Sequence, residues 1–183
     1  MAVRAQSEDA KVEYPQYLPD EGLALAARRS KVDAYRTQLH VTYEAASEAL
    51  AAGLAKAVEI GIKVGIVITD ATGEIVAVAR MDGANQKAWK GALGKATVAG
   101  SMGRTTEDFL ENRLKGDEVL WRALSANPDT MLVPGGSPLL VGGRSVGGVG
   151  VSGGRYDDDA RVAAAAAKRF DELVAEAESS SNA

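Results

Sequence analysis

The stretch Pro134–Gly154, which reads PGGSPLLVGGRSVGGVGVSGG, mixes glycine with the aliphatic residues of β-strands. The segments SPLLV and SVGGVGVS flank Gly142 and Gly143, a pair that suits the two positive φ angles of a type I′ hairpin turn. A flexible linker would combine glycine with serine instead. The stretch therefore predicts a β-hairpin.

A second hairpin is predicted upstream. The β-rich runs KVGIVITD (63–70) and EIVAVAR (74–80) are joined through a short polar turn. Asp70 and Gly73 suit the first and last positions of a type I turn. Because hairpins pair neighbouring strands in opposite directions, the two hairpins together indicate an antiparallel sheet.

Alanine-rich segments with apolar residues three and four positions apart surround the hairpins and predict helices. Thr42 is placed to cap the first helix, Thr105 opens a short one, and Asp157 begins the last. The predicted helices cover residues 43–60, 86–100, 105–116, 117–127 and 157–177. The fold class is α+β, an antiparallel β-sheet flanked by alanine-rich helices.

The glycines of the last strand have two interpretations. Gly147, Gly148 and Gly150 remove side chains at positions where another backbone or a flat ligand comes close. They form either the floor of a binding site or a packing surface for a helix or a second subunit. The sequence does not choose between the two.

Composition excludes several functions. The chain of 183 residues has a net charge of −4, so no basic surface indicates nucleic acid or an anionic membrane as a partner. The absence of cysteine excludes disulfides, thiol chemistry and cysteine-based zinc sites. Asp157, Asp158 and Asp159 are explained by the dipole of the helix that they open, and no metal site is predicted.

The chain divides into three parts. Residues 1–40 are polar at first, carry Pro15 and Pro19, and are predicted to form an arm compatible with a short helix after residue 20. Residues 41–177 form the domain, and residues 178–183 a disordered tail. No apolar run of signal-peptide length occurs near residue 1, which predicts a cytoplasmic location.

Several ordered motifs resemble the GlcG/HbpS family, which is labelled haem-degrading and includes the C-terminal domain of PduO-type proteins. They are RMDGA (80–84), GKATVA (94–99), GRTT (103–106), the hairpin stretch and the acidic start of the last helix. The resemblance implies a profilin- or PAS-like sandwich that assembles into homo-oligomers. It also implies binding of a small molecule, with haem or a related tetrapyrrole as the candidate ligand.

The family resemblance and the turn segments together place a candidate site. The ends of both hairpins converge on one pocket floored by bare backbone, with Arg80 and Lys95 supplying positive charge to an anionic ligand. The candidate ligand-binding residues are Thr106, Gly135, Gly136, Ser137 and Gly153.

Haem is expected to bind weakly. Haem iron takes His, Cys, Met or Tyr as its ligand. The chain has no cysteine, and its single histidine, His40, stands just ahead of the first predicted helix. We expect micromolar affinity and a spectrum unlike that of a bis-histidine site.

The alternative is a catabolic enzyme of the isomerase, lyase or hydrolase type. Its substrate would be a small carboxylate or carbonyl compound. Arg80 would clamp the anion, and Lys95 and Asp82 would act as the acid–base groups. The sequence leaves open whether the domain is catalytic.

Overall fold

The computed structural model describes residues 37–181. Its elements, in chain order, are α1 (Tyr43–Glu59), β1 (Gly65–Asp70), β2 (Ile75–Arg80), α2 (Ala88–Met102), α3 (Thr106–Phe109) with a π-helical continuation (Leu110–Leu114), α4 (Glu118–Ser125), β3 (Gly136–Val141), β4 (Arg144–Ser152) and α5 (Tyr156–Ser181). The α+β fold class is confirmed.

The four strands form one antiparallel sheet in the order β2-β1-β4-β3. Both predicted hairpins are present, and the pairing of β1 with β4 joins them, with Gly65 opposite Ser152. The type I′ prediction is confirmed at the second hairpin, where Gly142 and Gly143 have φ angles of 55° and 74°. The two edges of the sheet are β2 and β3.

One face of the sheet is covered by α1 and α5, which also pack against each other. Thr42 caps α1 by accepting a hydrogen bond from the Ala45 backbone N–H at 3.2 Å. The main hydrophobic core lies on this face and is built from small aliphatic side chains, among them Ala46, Ala49, Ile66, Ile68, Val149, Val151, Val162, Ala163, Ala166 and Phe170.

The other face is covered by α2, and here the glycines of β4 are packing positions. A methyl group on Gly148 would contact the carbonyl oxygen of Ala96, and one on Gly150 would contact that of Ala92. Gly100 of α2 also packs closely against the strand, because a methyl group there would lie 3.1 Å from the backbone nitrogen of Gly148. The helix therefore rests directly on the backbone of the strand.

The segment between α2 and β3 builds a second, smaller core. Thr105 caps α3 as predicted, its hydroxyl accepting from the Asp108 backbone N–H at 3.2 Å. The core consists of Val98, Phe109, Leu114 and Leu132, with Leu110, Leu120 and Leu124 packed against it. From this core the chain runs through residues 130–135 to the start of β3.

The helix bounds differ from those predicted by at most two residues, except at the end of the last helix. The last helix continues to Ser181, so residues predicted as a disordered tail from 178 onward begin as helix. The predicted arm, residues 1–40, lies outside the described residues except for 37–40. Among the described residues, no helix is both long and apolar enough to cross a membrane.

Candidate functional site

Lys95 lies in the interior, on the side of α2 that faces the sheet. Its side chain is 2% exposed, and its ammonium donates to the Val151 carbonyl oxygen at 2.7 Å and to the Asp159 carboxylate at 2.8 Å. Burial lowers the pKa of Lys95 below its ordinary value of 10.5, although the hydrogen bond and charge of Asp159 act in the opposite direction. The ammonium thus has two internal partners.

Asp159 joins Lys95 to the turn between β4 and α5. It lies in the first turns of α5, is also 2% exposed, and uses both carboxylate oxygens. One oxygen accepts from Lys95, and the other accepts from the Gly154 backbone N–H at 2.8 Å. The local sequence predicts only that the acidic residues here favour the helix dipole, and it does not identify Asp159 as the partner of Lys95.

Thr106, Gly135 and Gly136 lie close to Lys95 and are tightly packed. The Thr106 hydroxyl is buried, accepts from the Gly136 backbone N–H at 3.0 Å and donates to the Glu107 carboxylate at 3.2 Å. A methyl group on Gly136 would lie 2.6 Å from the Lys95 carbonyl oxygen, and one on Gly135 would lie 2.9 Å from the Nζ atom of the Lys95 side chain. These residues leave no space for a ligand among themselves.

The two remaining predicted ligand-binding residues lie on β3 and just after β4. Ser137 is buried in β3, opposite Val149. Gly153 has a φ angle of 135°, and a methyl group there would lie 2.6 Å from the Lys63 carbonyl oxygen. Of the two, Gly153 faces a surface groove.

Arg80 and Asp82 are exposed at the end of β2 and in the turn that follows. The Arg80 guanidinium donates to the Ala84 carbonyl oxygen at 3.1 Å, which fixes the turn. Among the described residues, no hydrogen bond or ion pair joins Arg80 or Asp82 to Lys95. The structure therefore does not assemble these three side chains into one group, and a catalytic role for them stays a prediction.

An open groove of about 480 Å³ lies between the start of α2 and the turn that follows β4. Its volume falls within the range of pockets that hold small molecules. It is lined by Asn85, Lys87, Ala88, Lys90, Gly91, Met131, Ser152, Gly153 and Gly154. A second pocket of about 390 Å³, lined by residues 154–157, shares Gly154 with it.

The groove carries positive charge. Lys87 and Lys90 are exposed and stand three positions apart at the start of α2, so they lie on neighbouring parts of one helix face. The Lys90 ammonium is 5.5 Å from the centre of the Trp89 ring, a cation–π distance. These two lysines are not among the site residues predicted from the sequence. The signal that could have indicated them is the run KAWKGALG (87–94), in which two lysines precede the glycines of the helix.

The described residues fit haem in the groove but not in the buried centre. Thr106 is buried and its hydroxyl already has hydrogen-bond partners within the protein, so it is not accessible to a ligand. The groove, in contrast, is open and basic. Among its lining residues, Met131 has a side chain of a type that ligates haem iron. His40 lies at the opposite end of β1 and pairs with Asp70 at 3.1 Å.

A four-stranded antiparallel sheet between helical layers, with a basic groove at one end, defines a small α+β sandwich domain. The chain belongs to the family described as haem degrading protein, HbpS-like, whose model matches residues 41–168. The resemblance identified from the motifs is confirmed.

Several known proteins are similar to this chain. A Citrobacter freundii protein, described as an uncharacterized 15.0 kDa protein in the dhaT-dhaS intergenic region, is 30% identical over 73% of this chain and 94% of its own length. The structure of Klebsiella pneumoniae ORFY matches with a TM-score of 0.71 and 27% identity over 78% of this chain and 98% of that one. The structure of HbpS matches with a TM-score of 0.68 and 29% identity over 76% and 96%.

Proposed function

We propose that this protein binds a small, flat, anionic ligand in the groove beside Gly153 and Gly154, and that the ligand belongs to the haem class. The observation that carries the proposal is the open groove of about 480 Å³ with two lysines on its rim. The family description, which names haem, supplies the ligand class.

The chemistry of the lining suits such a ligand. Gly91, Gly153 and Gly154 are among the lining residues, so backbone groups form part of the surface that a ligand would meet. Lys87 and Lys90 provide ammonium groups for the two propionates of a porphyrin. The apolar surface comes from Ala88 and Met131.

The binding is proposed to be weak. Met131 is the one lining side chain of a haem-ligating type, and a single thioether without a histidine partner holds iron loosely. His40 is engaged with Asp70 away from the groove. We therefore expect a dissociation constant of about 1 μM or higher.

A haemin titration, followed by the Soret absorbance, tests the site. We expect Lys87→Glu and Lys90→Glu each to weaken binding by roughly tenfold, because each replaces an attraction to a propionate by a repulsion. Lys87→Glu places an acid at the start of α2, where the helix dipole favours it, so folding should be preserved.

The matched control is Arg144→Glu. Arg144 is exposed at the first position of β4, at the opposite end of that strand from the groove, and its replacement changes the net charge by the same amount. The control should bind haemin like the wild type. If all three variants bind equally, the groove is not the site; if all three are weakened equally, only the overall charge matters.

The protein is also proposed to be a homo-oligomer. The edge strand β2 exposes Ile75 and Val78, and α4 exposes Val119 and Trp121, with Val119 81% exposed. Exposed apolar side chains on an edge strand favour association with another copy. Light scattering at micromolar concentration should give a multiple of the chain mass of 19.0 kDa, and a species of one chain mass would contradict the proposal.

A further inference from the structure

The groove floor is connected to the buried ion pair at both of its ends. The floor consists of three successive residues, Ser152, Gly153 and Gly154. Just before them, the Val151 carbonyl oxygen accepts a hydrogen bond from the Lys95 ammonium at 2.7 Å. At the far end, the Gly154 N–H donates to the Asp159 carboxylate, whose other oxygen holds the same ammonium.

The link also joins the floor of the groove to α2 and α5. Lys95 belongs to α2, whose start carries the lining residues Lys87, Lys90 and Gly91. Asp159 belongs to α5, which begins directly after the floor. A displacement of α2 relative to the floor would break a hydrogen bond in the interior, where an unsatisfied charge is costly.

A need for stability alone does not account for this pair. A buried ion pair is often no more stabilising than apolar side chains of similar volume, because both charges lose their water. Two consecutive glycines, in contrast, leave the floor with a wide choice of backbone conformations unless something fixes it.

We propose that Lys95 and Asp159 are positioning residues for the groove, holding Ser152–Gly154 in the conformation that receives the ligand. The proposal rests on the proposed function for the identity of the ligand. Neither side chain touches the ligand, since both are buried. Their effect is transmitted through the Val151 carbonyl oxygen and the Gly154 N–H.

Two double variants separate this role from simple stabilisation. Lys95→Met with Asp159→Asn removes both charges but keeps an oxygen to accept from Gly154. Lys95→Met with Asp159→Leu removes both charges and that acceptor as well. Both variants lack the Lys95 ammonium, so the difference between them isolates the bond to Gly154.

The measurement is a haemin titration of both variants, with circular dichroism and thermal unfolding as the check on folding. We expect the asparagine variant to bind about threefold more weakly than the wild type, because the Lys95 bond to Val151 is lost. The leucine variant should bind at least about tenfold more weakly than the wild type, because the bond to Gly154 is lost as well. Equal affinities in two folded variants would overturn the proposal.

Hydrogen exchange at the Gly154 amide provides a readout that needs no ligand. This amide should exchange slowly in the wild type and in the asparagine variant, and rapidly in the leucine variant. Rapid exchange in the wild type would overturn the proposal even if neither variant folds. A wild type that binds no haemin would refute the proposed function, while the Gly154 amide would still report whether the pair fixes the floor.

Discussion

The two faces of the sheet are covered in different ways, although the same four strands form both. On one face, α1 and α5 pack through side chains such as Ile66, Val149 and Phe170. On the other face, α2 contacts the backbone of β4 at Gly148 and Gly150. On the first face, side chains can change conformation to accommodate a substitution. On the second face, the backbone of α2 lies directly against the backbone of β4, so no side chain can move aside.

This difference explains where the candidate site lies. A helix that rests on bare backbone has little room to shift, so its first turn is held close to the end of β4. The groove opens at that end and is lined by the start of α2 and by Ser152–Gly154. The glycine face is therefore a rigid support for a ligand site rather than the site itself.

The largest expected effect is that of Gly150→Ala. The new methyl group would contact the Ala92 carbonyl oxygen, and neither the helix nor the central strand can give way without loss of hydrogen bonds. We expect a loss of about 3 kcal/mol or more in the free energy of unfolding, measured by urea denaturation. A loss below about 1 kcal/mol would show that α2 is not tightly held.

A much smaller effect is expected for Gly53→Ala, which makes the same change on the side-chain face. The new methyl group would lie 3.0 Å from the Ile66 Cδ1 atom, the flexible end of a side chain. Replacing glycine by alanine inside α1 also favours the helix by about 1 kcal/mol. The two contributions should nearly cancel in the same denaturation experiment, and a loss as large as that of Gly150→Ala would contradict the contrast between the faces.

The smallest effect is a pH dependence at the turn of the first hairpin. Slight burial raises the pKa of Asp70, but hydrogen bonds from the Thr72 side chain and from the Thr72 and Glu74 backbone N–H groups, with His40 nearby, bring it below its ordinary value of 3.8. A lowered carboxyl pKa stabilises the fold above pH 3.8, and this contribution is lost as the pH falls through the lowered value.

The variant Asp70→Asn keeps the acceptor oxygen and removes the charge. Its melting temperature should therefore lie slightly below that of the wild type at neutral pH and approach it as the pH falls below 3.8 and Asp70 is protonated. A gap that stays constant over this range would mean that the charge of Asp70 does not contribute.

Much of the fold was predictable because it depends on local patterns. The turn residues Asp70 and Gly73 predict the first hairpin, and the Gly142–Gly143 pair predicts the second. Capping threonines and alanine periodicity predict the order of the helices. The continuation of α5 to Ser181 was missed because serine and glutamate near its end resemble a tail, while an established helix extends through such residues.

The site was only partly predictable. Lys95, Thr106, Gly135 and Gly136 do lie together, yet their burial depends on contacts between residues far apart in sequence. Lys95 meets Asp159 across 64 positions of the chain, and no local pattern signals that pairing. Arg80 was grouped with Lys95 because both lie in motifs of the family and carry positive charge, but Arg80 lies exposed at the end of an edge strand.

The most direct test of the groove is a map of backbone amide chemical shifts during titration with protoporphyrin IX, which has the shape and propionates of haem without its iron. We predict that the perturbed amides cluster at Lys87–Gly91, at the start of α2, and at Ser152–Gly154, the floor of the groove. Perturbations confined to the His40 and Asp70 end of the sheet, or to Arg80–Asp82, would contradict the assignment of the site.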